Sequence, residues 1–281
     1  MAVRLFPLTT FVALSLVAAF ALSSADARAQ TAAVPSGGCP TDEAGSVSQG
    51  APAAKPVRQP GDWAWLCRYR EENRVFLAEE APLVVFVGDS ITENWTSADP
   101  QFFARRWVGR GISGQTSSQI LLRFHQDAIA LKPRVIHLLV GANDVARNAG
   151  ALDAQAFQGN MRAMIDLACA HNITMVVGAI LPAERFYWRR EIQPVEEIRN
   201  LNRWLRELAV MHRIRFVDYY APMATSEGAM RPELSDDGVH PNQEGYRVMR
   251  RTAEPALAAA FARARGSRNN DCAAERPTTS G

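Results

Sequence analysis

Net charge is what this sequence has least of: 31 lysines and arginines stand against 29 aspartates and glutamates, a formal +2 with histidines neutral. So balanced a chain offers no electrostatic case for binding nucleic acid or an anionic membrane surface. Long apolar runs are nearly as scarce. Beyond the N-terminal stretch none approaches the roughly 20 residues that span a bilayer, so a soluble mature protein is expected. Cysteine is sparse too, at Cys39, Cys67, Cys169 and Cys272. None has the close spacing of a zinc site, and none is flanked by a motif suggesting a thiol nucleophile. No internal repeat is present, so the chain is not a repeat array.

What is present begins with a processing signal. Arg4 precedes an apolar run from Phe11 to Leu22, and Ala27-Arg28-Ala29 forms the small-x-small pattern of a cleavage site. An uncleaved anchor would need a longer apolar core. Residues 1–29 therefore read as a signal peptide, Gln30 as the mature start, and the destination as the periplasm or the medium. In such an oxidising compartment the cysteines can form disulfides, with three full pairings open. Cys39 and Cys272 lie in polar flanks where a staple helps most, whereas Cys169, within an apolar helical pattern, reads as a small buried hydrophobe.

Residues 30–60, rich in Ala, Pro, Gly and Ser, read as a linker or arm, and residues 266–281 as a polar tail. Between them, 61–265 is long enough for one sizeable α/β domain. The stretch from Asp62, "DWAWLCRYREENRVFLAEE", has a helical pattern carried by Trp65, Leu66, Tyr69, Val75 and Phe76. Short apolar runs then alternate with amphipathic ones. Strands are predicted at 83–87, around 107–108, and at 134–140, 173–180 and 214–217. Helices are predicted near 116–131, 153–171 and 194–212, with a closing helix from Gln243 to about Arg263. Continuous apolar strands alternating with helices specify a parallel sheet covered on both faces. In such sheets ligands bind beyond the carboxyl ends of the strands, and the polar motifs fall there: "GDS", "GISGQTS", "GAND", "LPAERFYW" and "SDDGVHPN" each follow a strand.

Acyl transfer needs a nucleophile, a base, a group that orients the base, and donors for the developing oxyanion. Ser90, at the end of the first strand, is the nucleophile candidate; its alternative role is to cap the helix that follows. His240 is the base candidate, because of the histidines it alone lies in a polar loop at the expected face. His125 and His171 lie in or beside helical patterns, His137 lies within a strand and His212 ends a helix. Asp237, three residues before His240, can reach the imidazole, with Gly238 permitting the bend; Asp236 competes from a less apt spacing. The Ser90 and Gly114 backbone N–H groups and the Asn143 amide can converge on an oxyanion.

In this order "GDSIT", "RGISGQTS", "GAND" and "DGVHPN" resemble the four sequence blocks of the SGNH hydrolases, the GDSL-type esterases. The resemblance runs from about Leu83 to the closing helix. It implies a three-layer α/β/α flavodoxin-like fold around a parallel sheet of about five strands, with no metal and no organic cofactor. It also implies a triad of Ser90, His240 and Asp237, an oxyanion hole of Ser90, Gly114 and Asn143, and loops braced by Asp89 and Asp144. The family spans lipases, lysophospholipases, thioesterases, arylesterases and carbohydrate O-acetylesterases. The lead-in "DWAWLCRYREEN" and "RGISGQTSSQILLRFHQD" are more similar to exported bacterial esterases and acetylhydrolases.

Two rival readings are open to the sequence. "GRGISG", residues 109–114, satisfies the dinucleotide fingerprint G-x-G-x-x-G, but it follows the second strand and lacks an acidic ribose partner in the expected place. A non-catalytic glycan-binding protein on the same fold is the other. Within the esterase reading, Asn94, Trp95, Phe186, Tyr187 and Trp188 are substrate-binding candidates, since aromatic faces beside hydrogen-bonding groups suit a sugar ring; the same residues could simply pack beneath a loop. The expected partner is a small-molecule or glycan ester, carrying a short acyl group such as acetyl.

Overall fold

A computed structural model describes residues 58–266 apart from Glu79 and Leu152. The expected signal segment, most of the expected linker, Cys39, Cys272 and the tail after Gly266 lie outside the described residues. The elements run α1 (Arg70–Ala78), β1 (Val84–Gly88), α2 (Ser90–Ala98), α3 (Pro100–Phe103), β2 (Trp107–Gly111), α4 (Ser117–Asp127) and β3 (Val135–Leu139). There follow α5 (Ala142–Val145), α6 (Ala154–Ala170), β4 (Thr174–Gly178), α7 (Val195–Met211), β5 (Arg215–Val217), α8 (Tyr220–Met223) and α9 (Gln243–Gly266). The strands form one five-stranded sheet in the order β2-β1-β3-β4-β5, and every pairing is parallel. This is the flavodoxin-like order, with its switch point at β1.

Alternation along the strands builds the two outer layers. Val85, Val87, Ile136, Leu138, Met175 and Val177 pack with residues of α4, α6 and α7. Their neighbours Val84, Phe86, Val135, Leu139, Val176 and Val217 pack on the other face with residues of α2, α3, α8 and α9. Both faces are largely apolar, and β1 reads as a continuous hydrophobic run, β3 as one broken only by His137. The fold is the expected three-layer α/β/α sandwich.

The helix predicted over 116–131 ends at Asp127 and the strand predicted over 173–180 at Gly178; two further differences have a clear local cause. The helix predicted from Asp62 begins only at Arg70. The Asp62 carboxylate accepts from Leu66 N at 2.7 Å and Cys67 N at 3.2 Å, and Trp65 adopts φ +52°. A side chain that satisfies nearby N–H groups offers the backbone an alternative to the helix. The second strand is longer than its apolar pair suggested, continuing through Gly109, Arg110 and Gly111. Those glycines admit α2: a Cβ on Gly111 would lie 2.2 Å from Glu93 N. Cys67 takes part in a disulfide, whereas Cys169 is a free thiol, half-buried rather than fully buried.

Candidate active site

Ser90 is not a helix cap. Asp89 occupies the N-cap of α2, and its Oδ1 accepts from Ile91 N at 3.0 Å. Ser90, the first residue of the helix, keeps its hydroxyl free for another partner, and that partner is His240: Oγ lies 3.0 Å from Nε2. His240 Nδ1 lies 2.7 Å from Asp237 Oδ2. A carboxylate accepts, so Nδ1 carries the proton and Nε2 is left to receive one from the serine.

The loop that holds His240 is built by its own backbone. Asp237 Oδ1 accepts from Val239 N at 2.8 Å and His240 N at 2.7 Å. Gly238, at φ +78°, supplies the left-handed residue such a tight bend requires. Ser235, unremarked in the sequence, closes the loop by donating to the His240 carbonyl at 2.6 Å. Partial burial pushes the Asp237 carboxyl up, but the hydrogen bonds from the His240 ring, His240 N and Val239 N outweigh it and hold it below its ordinary value. Asp236, the competitor, faces Asn242 instead.

The oxyanion candidates stand at the ends of the first three strands. Ser90 N is among the first N–H groups of α2, which lack intrahelical acceptors. Gly114 sits after β2 at φ +79°. Asn143, 4% exposed, lies in the short α5 after β3, and its Nδ2 donates to Asp89 Oδ2 at 3.2 Å. Two acids brace these loops; of the pair the resemblance implied, Asp89 and Asp144, only Asp144 is one of them. Asp144 accepts from Ser117 N at 2.9 Å and Ser117 Oγ at 2.6 Å, which ties the Asn143 loop to the start of α4. Glu93, which the sequence reading passed over, accepts from Ser113 N at 2.8 Å and Ser113 Oγ at 2.5 Å, and so holds the residue preceding Gly114. Its spacing from Ser90 looks like a capping box; only the fold turns it toward Ser113.

The family model for GDSL-like lipases and acylhydrolases matches residues 86–248, more than half of the chain. The chain belongs to the GDSL-like lipase/acylhydrolase family. A GDSL-like lipase from Bacteroides thetaiotaomicron VPI-5482 is 41% identical with a TM-score of 0.67, covering 70% of this chain and 98% of that one. The acetylxylan esterase of Geobacillus stearothermophilus is 26% identical over 151 residues, 52% of this chain and 69% of the esterase. A lipoprotein of Bacillus subtilis (strain 168), YqeF, is 29% identical over 119 residues; the match spans 35% of this chain and 48% of the lipoprotein. Membership of the GDSL-like family makes the protein a hydrolase acting on ester bonds.

Seen on the GDSL-like fold, "GRGISG" is no dinucleotide loop. Gly109 and Gly111 lie inside β2, and the Asp144 carboxylate already occupies Ser117 N at the start of α4, where a pyrophosphate would have to bind. Two substrate-binding candidates are corrected. Trp95 is 0% exposed, packed against Phe86, Phe102 and Tyr246. It lies four residues after Ile91, on the same buried face of α2, and it cannot reach substrate. Phe186 is 0% exposed as well, lying beneath Trp188. Asn94 is exposed, Tyr187 is 54% exposed, and the half-buried Trp188 ring stacks on His240 with centroids 6.2 Å apart. Among the described residues, no group of three or more His, Cys, Asp or Glu side chains is placed to hold a metal ion, and no helix is long and apolar enough to cross a membrane.

Burial sets the charge state of the acid behind the nucleophile. Desolvation pushes Asp89 from its usual 3.8 up to about 6, against the opposing pull of Ile91 N and His240. A carboxyl raised on folding contributes stability that is complete below its unfolded value and is lost as pH climbs through the folded one. The advantage of an Asp89→Asn variant over the parent should therefore grow between about pH 4 and pH 6, by the order of a few kcal/mol, and then level off. Urea unfolding of both proteins across that range measures it. A stability difference that does not change with pH would exclude this account of Asp89.

Proposed function

We propose that this protein is a serine esterase that removes short acyl groups, acetyl above all, from carbohydrate esters. The observation that carries the reading is the relay of Ser90 Oγ to His240 Nε2 at 3.0 Å and His240 Nδ1 to Asp237 Oδ2 at 2.7 Å. In this reading Ser90 Oγ attacks the ester carbonyl carbon while His240 Nε2 takes the hydroxyl proton. The oxyanion forms among the Ser90 and Gly114 N–H groups and Asn143 Nδ2, each donor contributing a few kcal/mol in a preorganised site. His240 returns the proton to the departing alcohol, leaving an acyl-enzyme on Ser90. Water, deprotonated by His240, then attacks the acyl carbon; the bond from that carbon to Ser90 Oγ breaks, His240 returns the proton to Oγ, and the acid leaves.

Two features favour a sugar as the alcohol. Tyr187 and Trp188 place aromatic surface beside His240, which suits a carbohydrate ring, and the relative from Geobacillus stearothermophilus is an acetylxylan esterase. Export belongs to the same proposal, on the strength of the N-terminal apolar run with its small-x-small site and of the lipoprotein relative.

The test is hydrolysis of p-nitrophenyl esters from acetate to palmitate, and of acetylated xylan, by protein recovered from the periplasm or medium with Ser90→Ala as baseline. Its first residue should be Gln30. The highest rate is expected on acetate, with acetate also released from the polysaccharide. An optimum at octanoate or longer would replace the carbohydrate reading with a lipid acyl hydrolase of the lysophospholipase or thioesterase type.

A further inference from the structure

An oxyanion amide works only if its nitrogen, not its oxygen, faces the reacting carbonyl. The two ends of a carboxamide have nearly the same shape, so packing alone does not choose between them. Around Asn143 the choice is made by a chain of hydrogen bonds that starts at the Trp188 indole. Trp188 Nε1 lies 3.0 Å from Asn148 Oδ1. An indole N–H can only donate, so the oxygen of Asn148 must face it and its nitrogen must face away. That nitrogen lies 2.6 Å from Asn143 Oδ1, which leaves Asn143 Nδ2 to point toward Asp89.

We propose that Asn148 and Trp188 are positioning residues, which fix the amide polarity of Asn143 and, because the Trp188 ring also stacks on His240, tie the oxyanion donor to the catalytic base. This rests on the esterase reading above. The other end of the chain does not secure the polarity by itself. Asp89 accepts from Asn143 only while it is a carboxylate; burial raises its pKa to about 6, so below that pH it can also present an O–H. The indole has no second option. Asn148 is itself seated by its backbone, whose N–H donates to the Asn143 carbonyl at 3.0 Å. Arg147 beside it is anchored to Glu197 on α7 at 3.0 Å. The side chain thus sits on a fixed platform although it is exposed.

The experiment compares kcat and KM on p-nitrophenyl acetate for Asn148→Asp, Trp188→Phe, Asn143→Ala and the Asn148→Asp/Asn143→Ala double variant. A carboxylate at 148 cannot donate to Asn143 Oδ1, so Asn148→Asp should lower kcat by about tenfold or more while KM moves by no more than about twofold. Trp188→Phe keeps a ring over His240 and removes only the donor, and should cost about threefold in kcat. In the Asn143→Ala background the change at 148 should have almost no further effect, because no amide remains to orient. A merely structural role would multiply through the double variant. Full multiplication, or Asn148→Asp with kcat within about twofold of the parent, overturns the proposal. Thermal melting shows whether Asn148→Asp folds, and Trp188→Phe tests the same chain independently. Equal activity of the parent and Ser90→Ala would bring down the esterase reading and this inference with it. A clear Ser90→Ala defect with an unaffected Asn148→Asp would bring down the inference alone.

Discussion

Ser90→Ala should lower kcat on p-nitrophenyl acetate by roughly a millionfold, the scale on which losing a nucleophilic serine removes covalent catalysis outright. The substitution takes away one oxygen and leaves the surrounding groups in place. KM should therefore change little, and a residue of catalysis above the uncatalysed rate should persist from the oxyanion donors. Asp237→Asn addresses the other end of the relay. An amide can present an N–H to His240 Nδ1 and force the wrong tautomer, a change that costs about ten-thousandfold where the acid is buried. Here the Asp237 side chain is 36% exposed, so water can take over part of its role, and a loss nearer a hundred- to a thousandfold is expected. Steady-state kinetics of the two variants separate the roles. A Ser90→Ala protein retaining more than about a hundredth of the parental rate would mean that another group attacks.

The largest effect on stability is expected from Arg123, which touches no substrate. Its side chain is 0% exposed and donates to Gln115 Oε1 at 2.6 Å, Arg110 O at 2.9 Å, Gly88 O at 2.9 Å and Asp127 Oδ2 at 3.2 Å. It joins the carboxyl ends of β1 and β2 directly behind the nucleophile turn. Asp127, likewise 0% exposed, has Asn73 as its other close partner, at 2.7 Å. Arg123→Ala would leave that carboxylate buried and without its counter-charge, at a cost of about 3–5 kcal/mol. For a domain of this size that lowers the melting temperature by roughly 10 °C or more. Replacing the pair together, Arg123→Met with Asp127→Leu, should recover much of the loss, since no buried charge is then left unpaired. Calorimetry on the single and double variants decides it: a double variant no more stable than Arg123→Ala would show that the strand-end carbonyls, not the ion pair, are what Arg123 serves.

The difference between Trp95 and Trp188 shows how far the sequence could be read. Both are tryptophans close to a strand-end motif, and both were candidates for the substrate surface. Trp95 recurs with Ile91 at helical spacing, a pattern that points inward once the helix is known to lie on the sheet. Trp188 lies in a loop without periodicity, and nothing local announces that it reaches His240 from 52 positions away in the chain. Glu93 and Asn148 were missed for the same reason. Their roles depend on Ser113 and Trp188, residues brought near by β2 and by the loop after β4, and no spacing rule connects them. The glycines of "GRGISG" misled in the opposite direction: a familiar local pattern here serves the close seating of α2 on β2.

The order of the elements and the chemistry offered at their ends are legible along the chain. Continuous apolar runs could be stable only as buried parallel strands, and the polar motifs could then fall only at the carboxyl edge. Placing Ser90 after the first strand and Asp237 three residues before His240 was likewise legible, because hydrogen-bonding reach within a short loop is a local property. The remaining features come from the packed fold. The strand order 2-1-3-4-5 brings Ser90 and His240, 150 residues apart, to 3.0 Å. It gives the cap to Asp89 and frees the serine, buries Trp95 and Phe186, and turns Asn143 by way of Asn148 and Trp188. Those outcomes depend on which surfaces meet, and that is set by the packing of helices on a twisted sheet rather than by any neighbour along the chain.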